Sequence, residues 1–242
     1  TGFSGRSLDD KEMPKYINTK ETSVYHKGSM FFGLNSAKDE IKKKEDAIIV
    51  EGEFDAISLF IEGIKNVVAI KGTALTENQV NLLSRFTPKV TLCLDQDSAG
   101  FEATRRSLEV IEKKGLTTAI IVLEDAKDPD EAIKQNPNLF KKALKESTGV
   151  YDFLIDKFVL ENDKKSAEGK KKITDNLLPL ISNISNEIIK DHYLKKLSKV
   201  IDVSIDSLIK EVDKHIKVNK EENVTIPKKE KGTRRELLEE YL

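Results

Sequence analysis

Between Ala47 and Gln135, short apolar runs alternate with segments of helical period, and few folds accept that alternation. "AIIV" (47–50), "NVVAI" (66–70), "KVTLCL" (89–94) and "TTAIIVL" (117–123) are short apolar runs, each predicting a buried strand. Between and after them, "FDAISLFIEG" (54–63), "TENQVNLLSRF" (76–86), "SAGFEATRRSLEVIEKKG" (98–115) and "DPDEAIKQ" (128–135) place apolar residues at helical spacing. Gly63 and Gly115 supply C-terminal stop signals, Thr76 an N-cap and Pro129 a first-turn position. Strands that alternate with helices at such short intervals pair in parallel, because each crossover needs a helix to return the chain. The expectation is a parallel α/β sheet with flanking helices, its ligands held at the carboxyl ends of the strands.

Acidic residues collect at those ends. Glu51 follows "AIIV", Asp95 and Asp97 follow "TLCL", and Asp128 and Asp130 follow "IIVL" after a short loop. Side chains two apart on an extended segment share a face, so Asp95 and Asp97 can point to one spot. Two bare carboxylates there repel each other, and a divalent cation removes the conflict. Mg²⁺ suits such a place, with one or two carboxylates, waters and substrate phosphates as ligands. A plainer role exists for each acid taken alone. Asp97, Asp128 and Asp130 can cap or charge the first turn of a helix. Asp55, in "VEGEFD", can cap the helix that follows it. Gly52 predicts a tight strand-to-helix turn where a substrate backbone can approach.

The rest of the chain frames this centre. Residues 1–46 read as irregular with short extended pieces. From about Val150 four helical stripes, "VYDFLIDKFVLEN", "GKKKITDNLLPLISNIS", "NEIIKDHYLKKLSKVI" and "SIDSLIKEVDKHI", predict a small helical bundle. Residues 218–234 are polar and nearly aperiodic, which predicts a linker, and "RRELLEEYL" starts a further helix. The formal net charge is −1, which excludes a uniformly basic nucleic-acid binder. Residues 47–148 carry 13 basic and 16 acidic side chains, so a centre that handled phosphates would need metal ions. The single cysteine, Cys93, rules out a disulfide framework and a Cys-rich zinc site within these residues. It also makes a cytoplasmic setting the default. No apolar run approaches the roughly 20 residues of a membrane span, so no membrane partner is expected. The opening "TGFSGRS" has no initiator Met and reads as the middle of a domain.

"VEGEFDA" followed by "LDQDSAG" resembles the Toprim fold shared by bacterial primases, type IA and type II topoisomerases and some nucleases. The flanks sharpen the resemblance. "FSGR", "PKYINTKETSVYHKGSMFFGL", "GTALTENQVNLLSR" and "KDPDE", in that order, resemble the catalytic polymerase domain of bacterial replicative DNA primases from residue 1 to about 215. The resemblance implies template-directed synthesis of short RNA primers on single-stranded DNA from NTPs. It makes Glu51 the essential glutamate, as metal ligand or proton acceptor, and Glu51, Asp95, Asp97, Asp128 and Asp130 the ligands of Mg²⁺ or Mn²⁺. Arg6, Lys15, Asn18 and Lys27 match residues that line the template and nucleotide path, and Asp55 joins that set.

The domain boundaries implied are the end of an N-terminal polymerase subdomain at 1–46, the Toprim subdomain at 47–148, the helical bundle at 149–216, and a linker with the start of a helicase-binding region at 217–242. Zinc belongs to a domain that these residues do not include, the replicative helicase is the protein partner, and a monomer is expected. Four positions depart from the family pattern: Gln96 in place of glycine, Glu53 and Phe54 in place of a Tyr-Met pair, and Lys71 in place of a small or apolar residue. The rival readings are a Toprim nuclease and a non-catalytic binding module. The "PKY…HKG" block argues against the first and the intact acid set against the second.

Overall fold

The computed structural model describes residues 2–6, 16–71, 74–94, 98–123 and 126–224. The chain opens with a two-stranded antiparallel hairpin, β1 (Ser4–Arg6) and β2 (Tyr16–Asn18), and a 3₁₀ turn at Lys27–Ser29. Then follow α1 (Leu34–Lys44), β3 (Ala47–Val50), α2 (Glu53–Ile61), β4 (Val67–Ala69), α3 (Glu77–Leu83), β5 (Lys89–Leu92), α4 (Ser98–Lys114) and β6 (Thr117–Ile120). After these come α5 (Pro129–Gln135), α6 (Pro137–Lys145), the two-residue β7 (Thr148–Gly149), and α7 (Val150–Glu161), α8 (Ala167–Ser182), α9 (Glu187–Ile201) and α10 (Ile205–Val224).

The sheet order is β4-β3-β5-β6-β7. The first four strands are parallel, and β7 pairs antiparallel with β6. Every residue of β3 is buried, and the two faces of the strand divide cleanly. Ala47 and Ile49 pack with Ala37 and Ile41 of α1, Val80 and Leu83 of α3, and Ile111 of α4. Ile48 and Val50 pack with Ala56 and Leu59 of α2, Ile133 of α5 and Phe140 of α6. This period-2 split between two apolar faces is why the strand reads as a continuous apolar run.

The split also places a crevice. The helix after β3 lies on one face of the sheet and the helix after the adjacent β5 lies on the other, so the chain parts between their carboxyl ends. In open α/β sheets such a switch point is where ligands bind. The free edge of β4 is covered by Phe32, which exchanges two backbone hydrogen bonds with Ala69 (3.0 and 3.1 Å).

A second core holds the bundle. Leu154, Ile155 and Phe158 of α7, Ile173, Leu177 and Ile181 of α8, Leu194 and Leu197 of α9, and Leu208 of α10 pack together and reach Leu108 of α4. Glu112 of α4 is buried at this junction and its Oε1 accepts from the Tyr151 hydroxyl at 2.9 Å. Burial pushes the Glu112 carboxyl above the ordinary carboxylate range, and the Tyr151 and Ser185 hydrogen bonds only partly offset that. The neutral acid therefore supplies stability that is complete below the unfolded-chain value and is lost as pH rises through the folded value. Glu112→Gln is neutral at every pH and keeps the acceptor. It is expected to melt with the parent near pH 4 and about 2–4 °C above it at pH 8, checked by calorimetry at both pH values.

Two expectations change. Residues 34–44, read as irregular, form α1, entered through the left-handed Gly33 (φ 82°) and buried only at Ala37 and Ile41. A sparse apolar face in a lysine-rich stretch left little period to read. The helix read over "DPDEAIKQ" is present as α5 and ends at Asn136, whose Oδ1 accepts from Leu139 N–H to cap the separate α6. The helix α10 runs on to Val224, into the segment expected as a linker from 218. Among the described residues no helix is long and apolar enough to cross a membrane.

Candidate active site at the strand ends

Glu51 leaves the carboxyl end of β3, on the rim of the crevice between β3 and β5. Its carbonyl accepts from Lys71 N–H at 3.1 Å, which extends the β3–β4 ladder one step past the sheet. Gly52 then turns the chain into α2. The Gly52 N–H donates to Asp55 Oδ2 at 3.1 Å, so Asp55 caps its own helix. Its other oxygen, Oδ1, accepts from Asp130 N–H at 3.1 Å, in the first turn of α5. Asp55 is 8 % exposed, and its charge sits where two helix N-termini converge. One carboxylate thus ties the loop after β3 to the loop after β6. Sequence reasoning left Asp55 open between cap and ligand; the cap is present and reaches two helices.

Asp128 is the N-cap of α5, accepting from Glu131 N–H at 2.8 Å, while its second oxygen has Lys127 at 3.9 Å. Asp130 receives the Ser58 hydroxyl on Oδ1 and the Lys134 ammonium on Oδ2 at 2.5 Å. Partial burial raises its pKa, but the bonds from Lys134 and Ser58 outweigh this and hold it below the usual value. The end of β5 lies between those of β3 and β6 in the sheet, with Cys93 N–H donating to Ile49 O (2.8 Å) and Ile121 N–H to Leu92 O (2.9 Å). Asp95 and Asp97 follow Leu94 and lie outside the described residues, as does Lys15. Of Arg6 only the backbone is described, paired with Tyr16 in the hairpin.

The described donors are hard carboxylate oxygens beyond the carboxyl ends of β3 and β6, on either side of β5, with the Cys93 thiol buried in the core below. That chemistry fits Mg²⁺ or Mn²⁺ and not a softer metal. Among the described residues no three acidic, His or Cys side chains cluster as a ready metal site.

The turn at Lys27–Met30 is fastened to this edge by a side chain the sequence reading passed over. Gln79 is 1 % exposed. It forms a reciprocal capping box with Thr76, Oε1 accepting from Thr76 N–H and Gln79 N–H donating to Thr76 Oγ1, both at 3.1 Å. Its Nε2 donates to the carbonyls of Met30 (2.8 Å), Lys27 (3.3 Å) and Ile70 (3.4 Å). The Thr76 hydroxyl donates to Gly28 O. The turn that carries Lys27 is therefore bolted to α3 and to the end of β4. The signal was in the sequence, as the T-x-x-Q of "TENQ". Gln79→Leu strips buried carbonyls of their donor and is expected to cost about 2–3 kcal/mol, a fall in Tm of roughly 5–10 °C by calorimetry.

Lys27 itself is half-buried, and among the described residues no carboxylate pairs with it. Asn18, in β2, contacts the Ser4 hydroxyl, and Ser4 contacts Glu53 Oε1 at 2.7 Å. Glu53 in turn pairs with Lys71 at 2.8 Å. Burial raises the Glu53 pKa, but the bonds from Lys71 and Ser4 outweigh it and hold the carboxyl below its ordinary value. Glu53 and Lys71, two of the positions that depart from the family pattern, are thus partners.

Comparison with known proteins matches three family descriptions along the chain. They are the DNA primase catalytic core, N-terminal domain, on residues 1–38, a Toprim-like domain on 48–133, and the DnaB-helicase binding domain of primase on 151–206. The last falls on the helical bundle, whereas the sequence reading began a helicase-binding region only in the final residues. A DNA primase of Clostridium acetobutylicum is 39 % identical over 199 residues, covering 81 % of this chain and 33 % of that protein. The chain spans about a third of the length of the curated relatives it matches.

Among solved structures, the zinc-binding and RNA polymerase domains of the Aquifex aeolicus primase superpose with a TM-score of 0.70 at 35 % identity, covering 86 % of this chain and 50 % of that one. A DnaG primase catalytic domain bound to single-stranded DNA superposes at 0.71 and 28 % identity, covering 85 % and 66 %. The order of the matched regions and the superposed fold agree, and the chain belongs to the bacterial DNA primase family, matching its catalytic core.

Proposed function

We propose that this chain carries the nucleotidyl-transfer centre of a primase, making short RNA on a single-stranded DNA template. The observation that carries the reading is the coupling of two strand-end acid loops through Asp55, beside Glu51, with the Lys27 turn bolted to the same edge. A 3′-hydroxyl attacks the α-phosphate of an NTP, and pyrophosphate leaves. Glu51, Asp95, Asp97, Asp128 and Asp130 are the proposed holders of Mg²⁺ or Mn²⁺; at Asp130 the exposed Lys134 is the contact a cation would displace. When bound, such a cation neutralises triphosphate charge and favours in-line displacement.

Glu51 completes that ligand set or takes the hydroxyl proton. Lys27, with Arg6 and Lys15, holds phosphates as point charges without reading sequence. Asn18 and Asp55 border the same path, Asp55 by keeping the loops in place. The template partner is single-stranded DNA, as in the related DNA-bound structure. The helical region matched at 151–206 is the proposed helicase contact, the protein acts as a monomer, and the setting is cytoplasmic replication.

The test is binding of Mn²⁺ followed by its paramagnetic resonance signal. Parent protein is expected to bind at least one ion, and Asp95→Ala to weaken it about tenfold or more. Unchanged Mn²⁺ affinity in that variant removes Asp95 from the ligand set.

A further inference from the structure

The β1–β2 hairpin has three residue pairs, and its Phe3 and Ile17 are 76 % and 68 % exposed. A two-stranded hairpin whose described apolar side chains stand exposed is marginal alone, so its position is set by what it touches. Its polar link to the sheet, among the described residues, is the Ser4 hydroxyl on Glu53 Oε1. The same oxygen takes the Lys71 ammonium, and the two charged side chains are only 17 % and 11 % exposed. A hydroxyl has one proton. Ser4 therefore donates to Glu53 and accepts from the Asn18 amide, whose oxygen and nitrogen exchange places by a flip of the group.

Lys71 also adopts a left-handed backbone (φ 54°), a conformation that favours glycine over a long side chain. Its N–H meanwhile holds the Glu51 carbonyl, and its ammonium lies 5.9 Å from the centre of the Tyr25 ring. Tyr25 is 3 % exposed and packs so closely on Gly2 that a Cβ there would stand 2.4 Å from the ring. Lys71 thus reaches the N-terminal segment directly at Tyr25 and through Glu53 at Ser4, while its N–H holds Glu51.

We propose that Glu53 and Lys71 are positioning residues that form a clasp. Their pair fixes the hairpin, and Asn18 with it, against the carboxyl ends of β3 and β4, and so sets where the template strand lies relative to Glu51. The template role rests on the primase reading above; the clasp itself does not. Removing either charge leaves the other poorly compensated in a mostly buried place, so either variant frees the hairpin.

The experiment follows backbone hydrogen exchange and affinity for single-stranded DNA in Lys71→Met, Glu53→Gln and the reversed pair Glu53→Lys with Lys71→Glu. Exchange at the Phe3 and Thr19 amides, which bond across the hairpin, is expected to quicken about tenfold in both single variants while β3 is unchanged. The reversed pair is expected to recover most of that protection. DNA affinity falls in both single variants, about threefold to tenfold, and Lys71→Met adds nothing further in an Asn18→Ala background.

Unchanged hairpin exchange in both single variants overturns the clasp. So does opposite movement of affinity, weaker for Lys71→Met and tighter for Glu53→Gln, which is the signature of a lysine that touches phosphate directly. A parent protein that binds no single-stranded DNA overturns the primase reading, and the exchange result still decides the clasp.

Discussion

Glu51→Gln is expected to reduce primer synthesis by about a thousandfold or more, the scale of removing a proton acceptor or a metal ligand, with Tm within about 2 °C of the parent. Glutamine keeps the size and shape of the side chain at the rim of the crevice. The backbone around it is held independently, by Lys71 N–H on the Glu51 carbonyl and by Gly52 N–H on Asp55. The loss then falls on chemistry and not on folding. Synthesis on a primed and an unprimed template, with calorimetry on the same preparation, checks both halves. Activity within tenfold of the parent removes Glu51 from the reaction.

Asp55→Ala is expected to lower stability and activity together. The carboxylate accepts from two backbone amides, at Gly52 and Asp130, and is nearly buried. Hydrogen bonds to a charged group are worth about 1.5–3 kcal/mol each, so the variant loses roughly 3–5 kcal/mol. That predicts a fall in Tm on the order of 10 °C. Asp55→Asn fares little better, because its amide nitrogen must face an N–H donor. Synthesis is expected to drop about tenfold to a hundredfold, since the loops after β3 and β6 no longer hold their spacing. A variant that melts with the parent but has lost activity would make Asp55 a ligand rather than a bridge.

How far the sequence carried this account depends on whether an interaction is local. The strand β3 was legible to the residue because four consecutive side chains are buried, alternately on two faces. Glu51 was placed at the carboxyl end of β3 for the same reason, since it directly follows that apolar run. The strand β7 was not, because two residues pair with Ile120 and Ala119 without any pattern of their own. The bonds that assemble the site were not legible either. Asp55 and Asp130 stand 75 residues apart, and Gln79 and Met30 stand 49 apart. Only the sheet order brings them together. Glu53 and Lys71 looked like two separate departures from a family pattern; the crossover from β3 to β4 makes them one pair.

The measurement that bears most directly on the central claim is a product gel. The protein is incubated with end-labelled single-stranded DNA, four NTPs and Mg²⁺ or Mn²⁺, beside its Asp95→Ala variant. New short RNA that requires the metal and vanishes in the variant is the predicted result. Shortened DNA with no RNA would contradict it, and would make the strand-end acids those of a nuclease.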